Sequence, residues 1–275
     1  MKYPEHEFDV IKRTTIPITI DSLKRDLKAL EVKPASTIIM HSALSQIGWT
    51  VGGPVSVIKA VIEILTPKGT LVMPSFTGDN SEPSKWENPP VPQEWWNIIR
   101  KNMPAYQPSI TPTRGLGIIA ETFRKYPGVI RSNHPISSFA AWGKNAKKIT
   151  ENHELDSDLG ENSPLARIYD LDGQILLIGV SHSNNSSLHL AEYRCEYDGK
   201  RFTPTGSAIK VKNERKWVVW SELNHINDDF EKLGHDFEMI IPYKPKKVGL
   251  AESRLLSQRK MIDFAVKWIR KNRST

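Results

Sequence analysis

The sequence predicts an α/β fold: a mixed sheet with flanking helices and an antiparallel portion in the C-terminal third, in a single domain over residues 1–275. Three observations lead there. Short apolar runs at Thr37–Met40 and Thr70–Pro74 bracket a helical pattern, the order of a βαβ unit and a parallel sheet. A third apolar run, Ile175 to Val180, passes through a small polar loop into another helix. Beyond residue 200 two β-rich runs follow, joined by a short polar turn.

In chain order, residues 1–20 are mixed and read as peripheral. Ile20-Asp21-Ser22 followed by Leu23, Leu27 and Leu30 predicts a capped amphipathic helix. The Thr37–Met40 strand runs into a loop of small and polar residues, His41 to Gly53, and a helix from Pro54 to Leu65 carries Val57, Val61, Ile64 and Leu65 inward. Pro74 ends the second strand. Ser75 to Glu94 is long, proline-rich and locally acidic, with Asp79, Glu82, Glu87 and Glu94. It reads as an ordered lid or wall that could face a cation, or as an ordinary surface loop. Ser109 to Gly117 supplies hydroxyls, Arg114 and glycines before a helix ending near Tyr126-Pro127-Gly128. That pattern suits an anion, although it is neither a Walker A loop nor a dinucleotide fingerprint. Ser138 to Gly143 is strand-like, and Ser163 caps a helix through Ile168. Arg201–Val211 and Arg215–Trp220 form the hairpin across Lys212-Asn213-Glu214. A short helix covers 228–233, 240–244 is extended, and Ser253 to Arg270 is the last helix.

The stretch with most chemistry is Ser187-Leu188-His189-Leu190-Ala191-Glu192-Tyr193-Arg194, a helix that Asn184, Asn185 or Ser186 can cap. Helical spacing puts Leu188, Ala191 and Cys195 on one face and His189, Glu192 and Tyr193 on another. An imidazole with a carboxylate one turn away, beyond a strand's carboxyl end, is a candidate general base. The plainer reading is a half-buried pair that ties the helix down.

Composition narrows the classes. Hydrophobic residues make up 39% and charged residues 25%, ordinary for a soluble globular protein, and no apolar span suggests a membrane. A net charge of +7 without an arginine-rich arm or zinc-finger spacing argues against nucleic acid. The lone cysteine, Cys195, excludes an internal disulfide and fits a cytoplasmic protein. His41, His134, His153 and His182 show no ligand spacing, so no metal is expected.

Several stretches, in order over roughly residues 35–200, resemble the aminoglycoside 3-N-acetyltransferases, and within them the YokD-like proteins. They are His41-Ser42-Ala43-Leu44-Ser45 with Gly48-Trp49 and Gly52-Gly53, Gly69 to Pro74, Asn88 to Pro92 with Trp95-Trp96, Thr111 to Gly115, Arg131 to Pro135, and Ser187 to Tyr193. The resemblance implies acetyl transfer from acetyl-coenzyme A to an amine, the 3-amino group in aminoglycosides, on a fold unlike the GNAT acetyltransferases, and hence antibiotic resistance. It implies His189 as base and Glu192 as its acidic partner. It also implies a coenzyme cradle of His41, Ser42, Ala43, Leu44, Ser45, Thr111, Thr113, Arg114 and Gly115. Ala43 stands where many members have Ser. Asp79, Glu82 and Glu87 are the expected wall for a polycationic substrate. Partners are then acetyl-coenzyme A and a small amine, with a homodimer compatible. The alternative is a coenzyme-binding member acting on another amine or serving a binding role.

Overall fold

The computed structural model describes residues 5–273. Its strands are β1 (Thr37–Ser42), β2 (Thr70–Pro74), β3 (Ile130–Arg131), β4 (Phe139–Gly143), β5 (Gln174–Ile178), β6 (Phe202–Val211), β7 (Glu214–Leu223), β8 (Lys246–Val248) and β9 (Ala251–Ser257). Seven make one sheet in the order β3-β4-β2-β1-β5-β9-β8, and β6 and β7 form a separate hairpin. The middle of the sheet is parallel, β1 pairing with β2 and β5; β4 and β9 run antiparallel on either side. The expected mixed sheet with an antiparallel C-terminal part is therefore present. The carboxyl ends of β1, β2 and β5 open onto one edge, where open α/β sheets bind ligands.

Strand alternation divides the core between the two faces. Ile38, Met40, Leu71, Met73, Leu176 and Ile178 face the helices Ile20–Ala29, Gly53–Leu65 and Gly117–Phe123. Ile39, Val72, Ile175 and Leu177 face Pro164–Asp170, Leu188–Tyr193 and Gln258–Asn272. The helix Leu188–Tyr193 is short and turns Leu188, Leu190 and Ala191 fully inward. Its core contacts, rather than its length, hold it.

Several boundaries differ from expectation. The first amphipathic helix is capped by Thr19, in a reciprocal box with Ser22. Ser187 occupies the cap of the Leu188–Tyr193 helix without a side-chain bond. Asn184 lies in a 3-10 turn, His182–Asn184, and Asn185 accepts from the Ser187 amide at 3.2 Å. The helix after the Thr-Arg-Gly segment stops at Phe123. The short helix expected at 228–233 runs on, as Phe230–Ile240, so Ile240 is helical; Ile241 is extended, but 240–244 forms no strand, which comes at Lys246–Val248. Residues 253–257, expected to be helical, belong to β9, and Ser257 caps the last helix. In the hairpin, Lys212 and Asn213 take the two positive φ values (52° and 67°) of a two-residue turn, and Glu214 is already strand. The hairpin packs on the 75–106 segment through Asn80–Ser207 and Tyr106–Ala208 bonds. Among the described residues no helix is long and apolar enough to cross a membrane.

Candidate active site

His189 and Glu192 meet on the inner side of the Leu188–Tyr193 helix, Nδ1 to Oε2 at 2.6 Å. Glu192 is fully buried. Its Oε1 accepts from the Ile226 amide at 3.0 Å and from Arg273 Nη1 at 2.6 Å. Burial alone would raise its affinity for a proton. The bonds from His189, His225 and Arg273 outweigh that and hold it well below the usual carboxylate range. An ionised carboxylate only accepts, so His189 carries its hydrogen on Nδ1 and its lone pair on Nε2. Burial, then the charge of His225, lowers His189 from its ordinary value against the pull of Glu192.

His225, in the loop after β7, lies with its ring centroid 4.5 Å from that of His189. Its Nε2 is 2.9 Å from Asp158 Oδ2 and its Nδ1 is 3.5 Å from Glu192 Oε2. Asp158 is buried and also accepts from Tyr193 OH at 2.5 Å and Ser137 Oγ at 3.2 Å. Although burial opposes a charge on His225, Asp158 and then Glu192 push it up to about 10. Arg273 closes the other side, pairing with Asp229 as well as Glu192. His189, Glu192 and His225 thus offer three donor atoms within 4.8 Å, a set that spacing in the sequence did not show. Protein donors already engage both oxygens of Glu192, one of them the Arg273 guanidinium.

A cleft of about 680 Å³ opens at the carboxyl ends of β1 and β2. His41 to Ser45 all line it, as do Trp49, Pro74 and Gly115. Gly115 has φ +72°, and a β-carbon there would meet nothing within 4 Å. Its glycine is needed for the backbone rather than for space. His41 is buried with Nε2 unpartnered among the described residues. Burial, then the charge of His189, lowers it to about 4. The Ala43 amide, one of the loop N–H groups suited to an oxyanion, is taken by the Ile178 carbonyl at 3.0 Å.

The other expected residues are placed differently. Thr111, Thr113 and Arg114 are not among those lining the cleft. Thr111 accepts from the Gln107 amide, Thr113 donates to Glu121, and Arg114 pairs with Asp79 while reaching the Asn88 carbonyl at 3.3 Å. Glu82 is buried against Arg100 at 2.6 Å, and Glu87 is exposed. The acidic wall is therefore divided among separate partners. Sequence reading missed Asp158, His225, Arg273 and also Glu222 near the end of β7. Lys85 lies 3.5 Å from Glu222 Oε1; Oε2 is buried without a hydrogen-bond partner among the described residues. Burial, then Asp158, raises Glu222 above its ordinary value.

Comparison with known proteins places the chain in a family. The family described as aminoglycoside 3-N-acetyltransferase matches residues 39–270. The chain is 46% identical over 266 residues to the SPbeta prophage-derived aminoglycoside N(3')-acetyltransferase-like protein YokD of Bacillus subtilis (strain 168), covering 96% of this chain and 97% of that one. The YokD crystal structure is similar with a TM-score of 0.94 at 45% identity, over 96% of this chain and 98% of that chain. AAC-IIIb, solved as a binary complex with CoASH, is similar at 0.85 and 28% identity, over 94% and 99% of the two chains. AAC-VIa bound to sisomicin gives 0.84 at 28% identity, over 94% and 100%.

Proposed function

The chain belongs to the aminoglycoside 3-N-acetyltransferases, an acyltransferase family, and from that premise we propose that it moves acetyl from acetyl-coenzyme A to the 3-amino group of an aminoglycoside, with His189 as general base. The observation that carries this is the bond from His189 Nδ1 to the buried, ionised Glu192, which leaves the Nε2 lone pair free of that bond. An ammonium is no nucleophile, so an amine substrate must give up a proton, and Nε2 takes it. Being lowered from its ordinary value, His189 is neutral and able to accept at neutral pH.

The relatives solved with CoASH and with sisomicin support the two substrate classes. The coenzyme supplies an acetyl thioester. The cleft fits it: His41, with a buried Nε2 that has no hydrogen-bond partner among the described residues, and Gly115 in a left-handed turn both line it. His41, Ser42, Ala43, Leu44, Ser45 and Gly115 would hold it. With the Ala43 amide spent, Leu44 and Ser45, at the first turn of the helix Leu44–Ile47, are the amides left to meet a developing negative oxygen. Arg114 reaches a phosphate only by leaving Asp79. Glu222, with an unpartnered carboxylate oxygen near His225, is the proposed anionic contact for the amine substrate, with exposed Asp79 and Glu87 as outer contacts; Glu82 is committed to Arg100. No metal enters this scheme.

A second reading, acetylation of another amine, draws on the same lone pair at His189 and the division of the 75–94 acids among protein partners. The test is thiol release from acetyl-coenzyme A with a panel of aminoglycosides and simpler amines, with the acetylated nitrogen located by NMR. Acetylation at the 3-amino group supports the first reading. Turnover confined to other amines supports the second, and no turnover with any amine contradicts both.

A further inference from the structure

His225 has no part in the scheme above, yet it stands between two buried carboxylates beside the base. We propose that His225 is a fixed cation, a positioning residue that anchors Glu192 and offsets its negative charge so that His189 stays in its neutral, proton-accepting form. The inference rests on the reading of His189 as base.

The ring lies between two carboxylates, its Nε2 in a hydrogen bond and its Nδ1 within ion-pair range but without a hydrogen-bond partner among the described residues. Nε2 faces Asp158 at 2.9 Å and Nδ1 faces Glu192 at 3.5 Å, and both carboxylates are held ionised by their partners. The ring is wedged, since the neighbouring Ile226 amide is bonded to Glu192 and the Asn224 amide to the Arg201 carbonyl. Asp158 cannot turn away, because Tyr193 and Ser137 hold its two oxygens and its carbonyl accepts from His153 Nε2 at 2.6 Å.

The charge arithmetic gives this wedge its purpose. From its own helix His189 sees Glu192 and Tyr193. From the chain around it come Asp158, His225 and His41, with the Arg273–Asp229 pair beyond Glu192 and Glu222 beyond His225, while Phe230 supplies an apolar ring at 4.9 Å. A buried glutamate alone would draw a proton onto His189 and leave it unable to take one from substrate. A cationic ring 4.5 Å away opposes that pull.

Side-chain ¹⁵N NMR of histidine-labelled wild-type protein reads this without any variant. The expected result is that His225 stays protonated on both nitrogens through pH 8 while His189 is neutral with hydrogen on Nδ1; a neutral His225 at pH 7 overturns the proposal. In His225→Gln the midpoint of His189, and with it the acid limb of kcat/KM, should rise by about one to two pH units, with turnover recovering at high pH. The charge-retaining His225→Lys should keep both near wild type. A uniform fall in rate at every pH with an unmoved His189 midpoint also overturns the proposal, since loss of packing alone does that. Failure of the base reading looks different: His189→Ala would turn over like wild type, and the NMR midpoint would still report the coupling between the two rings.

Discussion

Glu192 and Asp158 lie almost wholly inside the protein, whereas Asp79 and Glu87 lie on its surface. The inner pair is met by two histidines, an arginine, a tyrosine, a serine and one backbone amide within one connected network. Of the outer pair, Asp79 meets a single half-exposed guanidinium. The difference lies in what a charge can do. A carboxylate in water is screened and cheap to lose, whereas one taken out of water fixes the protonation of every group it touches. The candidate chemistry sits with the inner pair for that reason, and only a recognition role is proposed for the outer acids.

The largest effect that would break this contrast is at Glu192. Glu192→Ala takes one buried carboxylate from Arg273 and His225, leaving them only Asp229 and Asp158, and chemical denaturation should show a loss of about 3–5 kcal/mol. Wild-type stability in that variant would mean the network is not buried as described. Arg273→Met removes one charged bond from Oε1 and should cost about 1.5–3 kcal/mol in the same assay.

The pH dependence of thermal melting sharpens the contrast next. His225, raised to about 10 from 6.5, stabilises fully below pH 6.5, and that contribution is lost as pH rises through 10. His41, buried and neutral with a value of about 4, destabilises in the opposite direction as pH falls from 6.5 towards 4. Melting temperature should therefore fall on both sides, and His225→Gln should flatten the alkaline side alone. On the outer region, Arg114→Ala should raise KM for acetyl-coenzyme A about tenfold if its guanidinium leaves Asp79 for a phosphate. Asp79→Asn should change stability by less than about 1 kcal/mol.

The fold was legible where burial writes a pattern. β1, β2 and β5 are continuous apolar runs because both faces of the central sheet are covered. β9 was not legible, since Ala251-Glu252-Ser253-Arg254-Leu255-Leu256-Ser257 mixes charge with two leucines beside a strongly helical segment. The His189–Glu192 pair could be read from helical spacing alone. His225 lies in a loop with no periodicity, Asp158 follows a 3-10 turn, and Arg273 comes at the end of the last helix. Only the tertiary fold brings them together, so no local pattern could announce them. Arg114 shows the converse: a guanidinium before glycines suits a phosphate, but nothing local reveals that Asp79 pairs with it.

The most direct test of the account is the rate of acetyl transfer by His189→Ala, beside its affinity for acetyl-coenzyme A. The account expects kcat to fall by about 10²–10⁴-fold with coenzyme affinity and fold unchanged, the loss expected of a positioned base. Turnover near that of wild type would contradict it.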